Sequence, residues 1–287
     1  MGTERPRAYN SIDVDPALPV LDGSEPVSLA TLLWHGEMSK SSSERKVRAA
    51  AALVIFAKAP IAGQVKTRLC PALTEDEAAT LHGSFVLDTL ERTKAAVGTF
   101  KLLVDRYLAC SPSLTHVFFK IMEARHGVSL LDQVGDDLGT RMHHTFETLF
   151  GQGYRRVCLV GTDVPSLPLT HYRDALEWLT RHDVVLGPAM DGGYYLIGLT
   201  KPQPSLFADI PWSTDGVLAL TEQKTQQAGL STAVLPTWRD IDTVEDLRAL
   251  IDDCTADKQR SKQERVFSQR TAGTLELLAK RLRTRQG

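Results

Sequence analysis

The apolar run VCLV at 157–160 leads directly into GTDVP, so Asp163 ends a segment that otherwise selects apolar residues. A carboxylate at such a strand end can coordinate Mg²⁺ or Mn²⁺, hard cations that favour oxygen ligands. A cation held there can bridge to phosphate oxygens and stabilise a departing diphosphate. The same aspartate can equally accept backbone N–H groups and open a turn.

A second chemically loaded stretch is KAPIAGQVKTRL, which carries Lys58, Gly63, Lys66 and Arg68. It lacks the spacing and second glycine of the phosphate loop GxxxxGK[ST], and it is not GxGxxG. A glycine-bearing loop with fixed cations nevertheless suits a di- or triphosphate, because backbone N–H groups come close and the cations offset charge. An exposed basic surface loop is the plainer alternative.

Three acidic stretches complete the candidates. In PAMDGGYYLIG, Asp191 precedes two glycines, which permit either a ligand against the backbone or a simple hairpin turn. In WRDIDTVEDL, Asp240 and Asp242 share a face if the segment is extended, and one could be a second metal ligand. Locally, Asp242 or Thr243 could instead cap a helix that has Glu245 and Asp246 in its first turn. In GDDLGTRM, Asp136 and Asp137 beside Arg141 could position a ribose, a sugar hydroxyl or an acceptor amine, or could simply start a helix. The adjacent His143 and His144 diverge by about 100° on a helix and do not suit a shared metal, so no zinc site is assigned.

These residues need a frame. AALVIFAK reads as a strand covered on both faces. Helical spacing follows in EDEAATLHGSFVLDTLERTKAA, with Thr74 and Glu77 as a capping box and Ala79, Phe85, Val86, Leu87 and Leu90 on its buried face. KLLVDRYL (101–108) and VSLLDQ (128–133) read as further strands, and SLTHVFFKIMEARHG is ambiguous between helix and strand. VCLVGTD is the most convincing central strand, and LTHYRDALEWLTRHD is a helix. DVVLGPAMDGGYYLIGL holds two strands around a glycine-rich turn, LSTAVLP is a late strand, and a last helix begins at Thr243. Strands alternating with helices imply an α/β fold, a mostly parallel sheet with helices on both faces. Such sheets bind ligands at the carboxyl ends of their strands. The loops after Phe56 and Val160 lie at such ends.

Composition sets the outer limits. The chain has 287 residues, 43% of them hydrophobic, with 33 basic and 35 acidic side chains. That supports an ordinary core and gives no sign of a nucleic-acid partner. Four scattered cysteines make no CxxC pair and fit a reducing, cytoplasmic setting. No run approaches the roughly 18 apolar residues of a membrane span. Residues 1–48 read as an N-terminal extension, partly disordered, and 257–287 as a basic helical extension with nine Lys or Arg against three acids. Leu275, Leu277, Leu278 and Leu282 form an apolar stripe there, suited to docking on the body. A weak contact with nucleic acid, an acidic protein or a membrane surface is the alternative use of the tail.

FAKAPIAGQVKTRL, GDDLGTRM, LVGTDVPSL, LGPAMDGGYYLIGL and WRDIDTVEDL occur in that order. The ordered set resembles the bacterial family labelled transferase 1, which is associated with radical-SAM and selenium-domain proteins and is described as glycosyltransferase-like. The resemblance covers residues from about 50 to 250. That family in turn resembles nucleotide-diphospho-sugar transferases of the GT-A type, and nucleotidyltransferases that load GMP onto molybdopterin or phospholactate. The resemblance implies a single GT-A-like three-layer α/β sandwich, with residues 49–256 as the catalytic domain. It also implies that Asp163 helps to hold Mg²⁺ or Mn²⁺, that the DID of 240–242 completes the metal site, and that Lys66 and Arg68 contact nucleotide phosphates. Asp191 becomes a candidate contact or base on the acceptor side. The chain departs from the family patterns in two places. It has D-V-P where familiar glycosyltransferases carry DxD, and it lacks the early GG pair of many nucleotidyltransferases.

The leading expectation is a metal-dependent transferase that uses a nucleotide sugar and a small-molecule acceptor. Nucleotidyl transfer from an NTP to a small phosphorylated acceptor is the second, and a non-catalytic binding or scaffold protein the third.

Overall fold

A computed structural model describes residues 49–261 and 265–284. The expected N-terminal extension, 1–48, lies outside the described residues. The strands are β1 (Ala51–Lys58), β2 (Val104–Ser111), β3 (Ser129–Asp132), β4 (Arg156–Gly161), β5 (Val184–Pro188), β6 (Tyr194–Leu199) and β7 (Thr232–Val234). The helices are α1 (Glu75–Phe100), α2 (Val117–His126), α3 (Leu138–Gly151), α4 (Leu169–Trp178), α5 (Val217–Gln227), α6 (Val244–Asp257) and α7 (Gln269–Thr284). One sheet runs in the order β3-β2-β1-β4-β6-β5-β7. Every pairing is parallel except those of β6, which runs against both β4 and β5. This is the α/β, GT-A-like sandwich with a largely parallel sheet that the sequence implies.

The central strands show why both faces are covered. Leu53 and Ile55 of β1 point into one core with Val86 and Leu90 of α1, Phe119 of α2 and Tyr172 of α4. Ala52 and Val54 point the other way, into a core with Met142, Phe146 and Leu149 of α3. Alternate residues of one strand therefore feed opposite layers, and the strand reads as a continuous apolar run. A third core joins Phe85 of α1 to Leu247 and Leu250 of α6 and to Leu275, Leu278 and Leu282 of α7. Leu277 departs from the expected stripe and is 69% exposed.

Local signals explain the boundaries. Thr74 and Glu77 form the expected capping box, and Lys101 ends α1 in the left-handed conformation. Residues 101–103 therefore belong to the connection, and β2 begins only at Val104, three residues later than KLLVDRYL implies. The ambiguous segment is helical because His116 caps it through Phe118 N–H and Gly127, at φ 60°, stops it. Thr243 and Asp246 form a second capping box at α6. Helix α5 has no counterpart in the sequence reading. Its buried positions are Val217, Thr221 and Thr225, two of them polar, so the apolar periodicity is faint. Among the described residues, no helix is long and apolar enough to cross a membrane.

Candidate functional site

A cleft of about 760 Å³ opens along the rim where β1 and β4 end. Because β6 is reversed, the turn between β5 and β6 lies on this same rim, as does the segment that follows β7.

Short contacts tie three of these segments together. Ile241 N–H donates to the Asp163 carbonyl at 3.0 Å. Trp238 N–H donates to Pro188 O at 3.0 Å, and Met190 N–H to Trp238 O at 3.2 Å. The strip 188–190 thus runs beside 238, which brings Asp191 next to Asp240 and Asp242. Gly193 N–H donates to Asp191 Oδ1 at 2.8 Å. Gly192, at φ +86°, completes the turn.

Oxygens of Asp191, Asp240 and Asp242 all lie within 4.8 Å of one another. A cation about 2.0–2.6 Å from each oxygen has opposite ligands about 4–5 Å apart, so the three carboxylates fit one divalent ion. Asp240 carries the electrostatic signature of such a group. Burial, then the neighbouring charges of Asp191 and Asp242, push its carboxyl up to about 6. An all-oxygen, all-carboxylate donor set is the chemistry of Mg²⁺, Mn²⁺ or Ca²⁺ rather than of softer metals.

Asp163 lies outside that trio and faces Lys66. Three oxygens surround the Lys66 ammonium: Asp163 Oδ1 at 2.7 Å, Asp242 Oδ1 at 2.8 Å and Ile241 O at 2.6 Å. The Lys66 side chain is only 4% exposed. Burial alone would lower its pKa, yet the charges of Asp163 and Asp242 outweigh that and raise it. Burial would likewise raise Asp163, and Lys66 followed by His82 overcomes it and holds the carboxyl below its ordinary value. The Lys66 backbone is left-handed, at φ 50°, an uncommon state for a non-glycine residue that here aims the side chain inward. Lys66 thus clamps the end of β4 to the segment after β7, with its donors already taken. Among the described residues, three other cations line the cleft: Lys58, Arg141 near the start of α3, and Arg68, which is 60% exposed and 3.5 Å from Asp242 Oδ2.

Gly63, at φ +75°, shapes the loop beside Glu75 and is not on the cleft wall. Asp137 caps α3, with its Oδ1 accepting from Thr140 N–H at 2.7 Å, and that bond holds its carboxyl below the usual range. Asp136 is exposed on the cleft wall beside it.

Three further cleft residues were not singled out from sequence. His82 of α1 is buried, with Nε2 3.0 Å from the Lys58 carbonyl. A carbonyl can only accept, so Nε2 carries the proton and Nδ1 keeps a lone pair. Burial lowers its pKa, opposed by Asp163. Gln133, just past β3, gives its amide N–H groups to Ala57 O at 3.1 Å and Ala109 O at 2.9 Å. Its side-chain oxygen is left as an acceptor. Trp212 lies on the loop before α5 and lines the opposite wall. A polar residue closing strand VSLLDQ, and a histidine on the apolar face of α1, were the available signals for the first two. Trp212 gave none, because its segment has no periodicity.

The fold agrees with a solved relative. The chain matches a crystal structure from Desulfovibrio desulfuricans G20, of a protein provisionally named a nucleotide-diphospho-sugar transferase. The two are 34% identical over 82% of this chain and 98% of the other, with a TM-score of 0.70. The chain therefore belongs to the GT-A-like nucleotide-diphospho-sugar transferase family. Residues 95–214 also match the family model described as "Uncharacterized protein conserved in bacteria (DUF2064)". A cytidylyltransferase from Leptospira borgpetersenii serovar Hardjo-bovis is 16% identical, covering 81% of this chain and 95% of that one, at a TM-score of 0.48. No curated protein matches the chain.

Proposed function

We propose that the protein is a metal-dependent glycosyltransferase that uses a nucleotide sugar, within the transferase 1 group that its ordered motifs resemble. The observation that carries this reading is the Asp191–Asp240–Asp242 cluster on the same cleft as Lys58 and Arg68. Asp191, Asp240 and Asp242 would hold Mg²⁺ or Mn²⁺, which supplies charge neutralisation at the diphosphate. Lys58 and Arg68 bind the phosphate oxygens from the β1 side. Lys66 acts as a positioning residue, keeping Asp242 and Asp163 in register. Gln133 offers an acceptor to an N–H edge of the nucleobase.

In the transfer, an acceptor hydroxyl oxygen bonds to the anomeric carbon. The bond from that carbon to the diphosphate oxygen breaks, and the nucleoside diphosphate leaves with the electron pair. The hydroxyl proton passes to water at the open mouth of the cleft.

The test is a thermal-shift screen of nucleotides and nucleotide sugars with Mn²⁺, followed by product analysis. A ligand that binds only the folded state raises the apparent melting temperature. Release of a nucleoside diphosphate from a nucleotide sugar supports the proposal. Pyrophosphate released from an NTP assigns nucleotidyl transfer instead, and no metal-dependent nucleotide binding leaves the scaffold reading.

A further inference from the structure

The wall opposite the basic loop is built around Trp212. Its indole lies directly on the backbone of α3, since a Cβ on Gly139 would sit 2.4 Å from the indole Nε1. The Tyr194 ring stands perpendicular to it, with ring centroids 6.4 Å apart at 90°. Two non-glycine residues with left-handed backbones bracket it, Asp209 at φ 54° and Ser213 at φ 68°. Such conformations cost about 1–3 kcal/mol each and persist where the surroundings over-determine them. The loop is also locked onto the turn that carries Asp191. A Cβ on Gly192 would come 2.1 Å from Asp215 O, and Leu218 N–H donates to Gly192 O at 2.9 Å. A tryptophan that only filled a core would be covered. This one packs on α3, is half-buried, and lines the cleft.

The groups around the indole define what it would take. Asp136 is exposed on the same cleft, and Ser213 and Thr214 add hydroxyls. Arg141 is the cation on this wall, and its Nε is committed to Gly135 O at 2.8 Å. The carboxylates of Asp136 and Asp137 outnumber the Arg141 guanidinium, so an anionic molecule is disfavoured here. The cations Lys58 and Arg68 belong to the other side.

We propose that the Trp212 wall is the acceptor subsite, and that it takes an uncharged, polyhydroxylated ring whose C–H face stacks on the indole. The carboxylate and hydroxyls on the wall would pair with the ring hydroxyls. This inference rests on the glycosyltransferase reading, and it excludes a phosphorylated acceptor.

The experiment is saturation-transfer NMR of the full chain with a panel of methyl hexosides, with glucose 6-phosphate alongside. At least one methyl hexoside is expected to show saturation on its ring C–H protons. The signal should fall at least fivefold in Trp212→Ala and persist in Trp212→Phe. Gly139→Ala should reproduce the loss by displacing the indole rather than removing it, with thermal melts confirming folding of each variant. Absence of any methyl hexoside signal overturns the proposal. So does an unchanged signal in Trp212→Ala, or stronger binding of glucose 6-phosphate. The Mn²⁺-dependent nucleotide shift, read on the same samples, separates the two readings. If nucleotides bind and hexosides do not, the acceptor inference alone falls. If hexosides bind and no nucleotide does, the transferase reading falls.

Discussion

The ammonium of Lys66 lies 2.7 Å from Oδ1 of Asp163 and 2.8 Å from Oδ1 of Asp242, joining the end of β4 to the segment after β7. Replacing Lys66 by Met leaves two facing carboxylates without their cation. Breaking a fully buried pair costs about 3–5 kcal/mol, and because the Asp163 side chain is 44% exposed the expected loss is nearer 2 kcal/mol. Urea denaturation measures it. Adding Asp163→Asn to Lys66→Met should recover part of the loss, and strict additivity of the two changes would show that the pair is not coupled.

Metal binding should depend on the trio and much less on the strand-end aspartate. Asp240→Asn is expected to lower Mn²⁺ affinity at least tenfold, as read by calorimetry or electron paramagnetic resonance. Asp163→Asn should change it less than fivefold. Equal losses would place Asp163 among the ligands.

Gly192→Ala should act as a site mutation despite removing no functional group. The turn has φ +86°, and the new methyl would meet Asp215 O at 2.1 Å. We expect a stability loss of about 2–4 kcal/mol together with weakened Mn²⁺ binding. Wild-type Mn²⁺ affinity in a folded Gly192→Ala protein would refute the linkage between this turn and the acidic cluster.

Acid should destabilise the protein partly through His171. Both of its ring nitrogens are buried without a partner, against Tyr195 and Trp238. Burial lowers its pKa, with Asp174 opposing. The folded state thus binds this proton less readily than the unfolded chain does. The stability it contributes is complete above about pH 6.5 and is lost as pH falls below that value, at no more than about 1.4 kcal/mol per pH unit. His171→Phe should flatten the fall in urea midpoint between pH 7.5 and 5.5.

Helix α7 should come loose when its anchor on α1 is cut. Asp88 accepts from Ser268 Oγ at 2.7 Å and from Thr271 Oγ1 at 2.5 Å, with Arg270 3.5 Å away. Asp88→Ala strands these donors at a cost of about 2–3 kcal/mol. Limited proteolysis should then cut between Asp257 and Gln269 at least tenfold faster.

The layered fold was legible because β1 and β4 are short apolar runs and α1 and α6 carry capping boxes in the sequence itself. α5 was not, because its buried face is partly threonine. Within the site, residue types could be read and partners could not. Lys66 is visible as a cation in a loop, but only the approach of residues 161–163 to 240–242 shows its ammonium already surrounded. Asp191 joins Asp240 and Asp242 through the Ala189–Trp238 bridge, a contact between segments far apart in the chain that no local pattern encodes. Trp212 depends on the missing side chain of Gly139, which spacing alone cannot reveal.

The reversal of β6 has one more consequence. A parallel strand at that position would need a crossover, and its approach would arrive at the far edge of the sheet. Running backwards, β6 puts a tight bend on the working edge, and the interlock of Gly192 with Asp215 hands that bend's position on to the tryptophan loop. The acidic corner and the opposite wall are therefore one mechanical part. Whatever reshapes the loop to admit a different partner molecule must also shift the three carboxylates of the acidic corner.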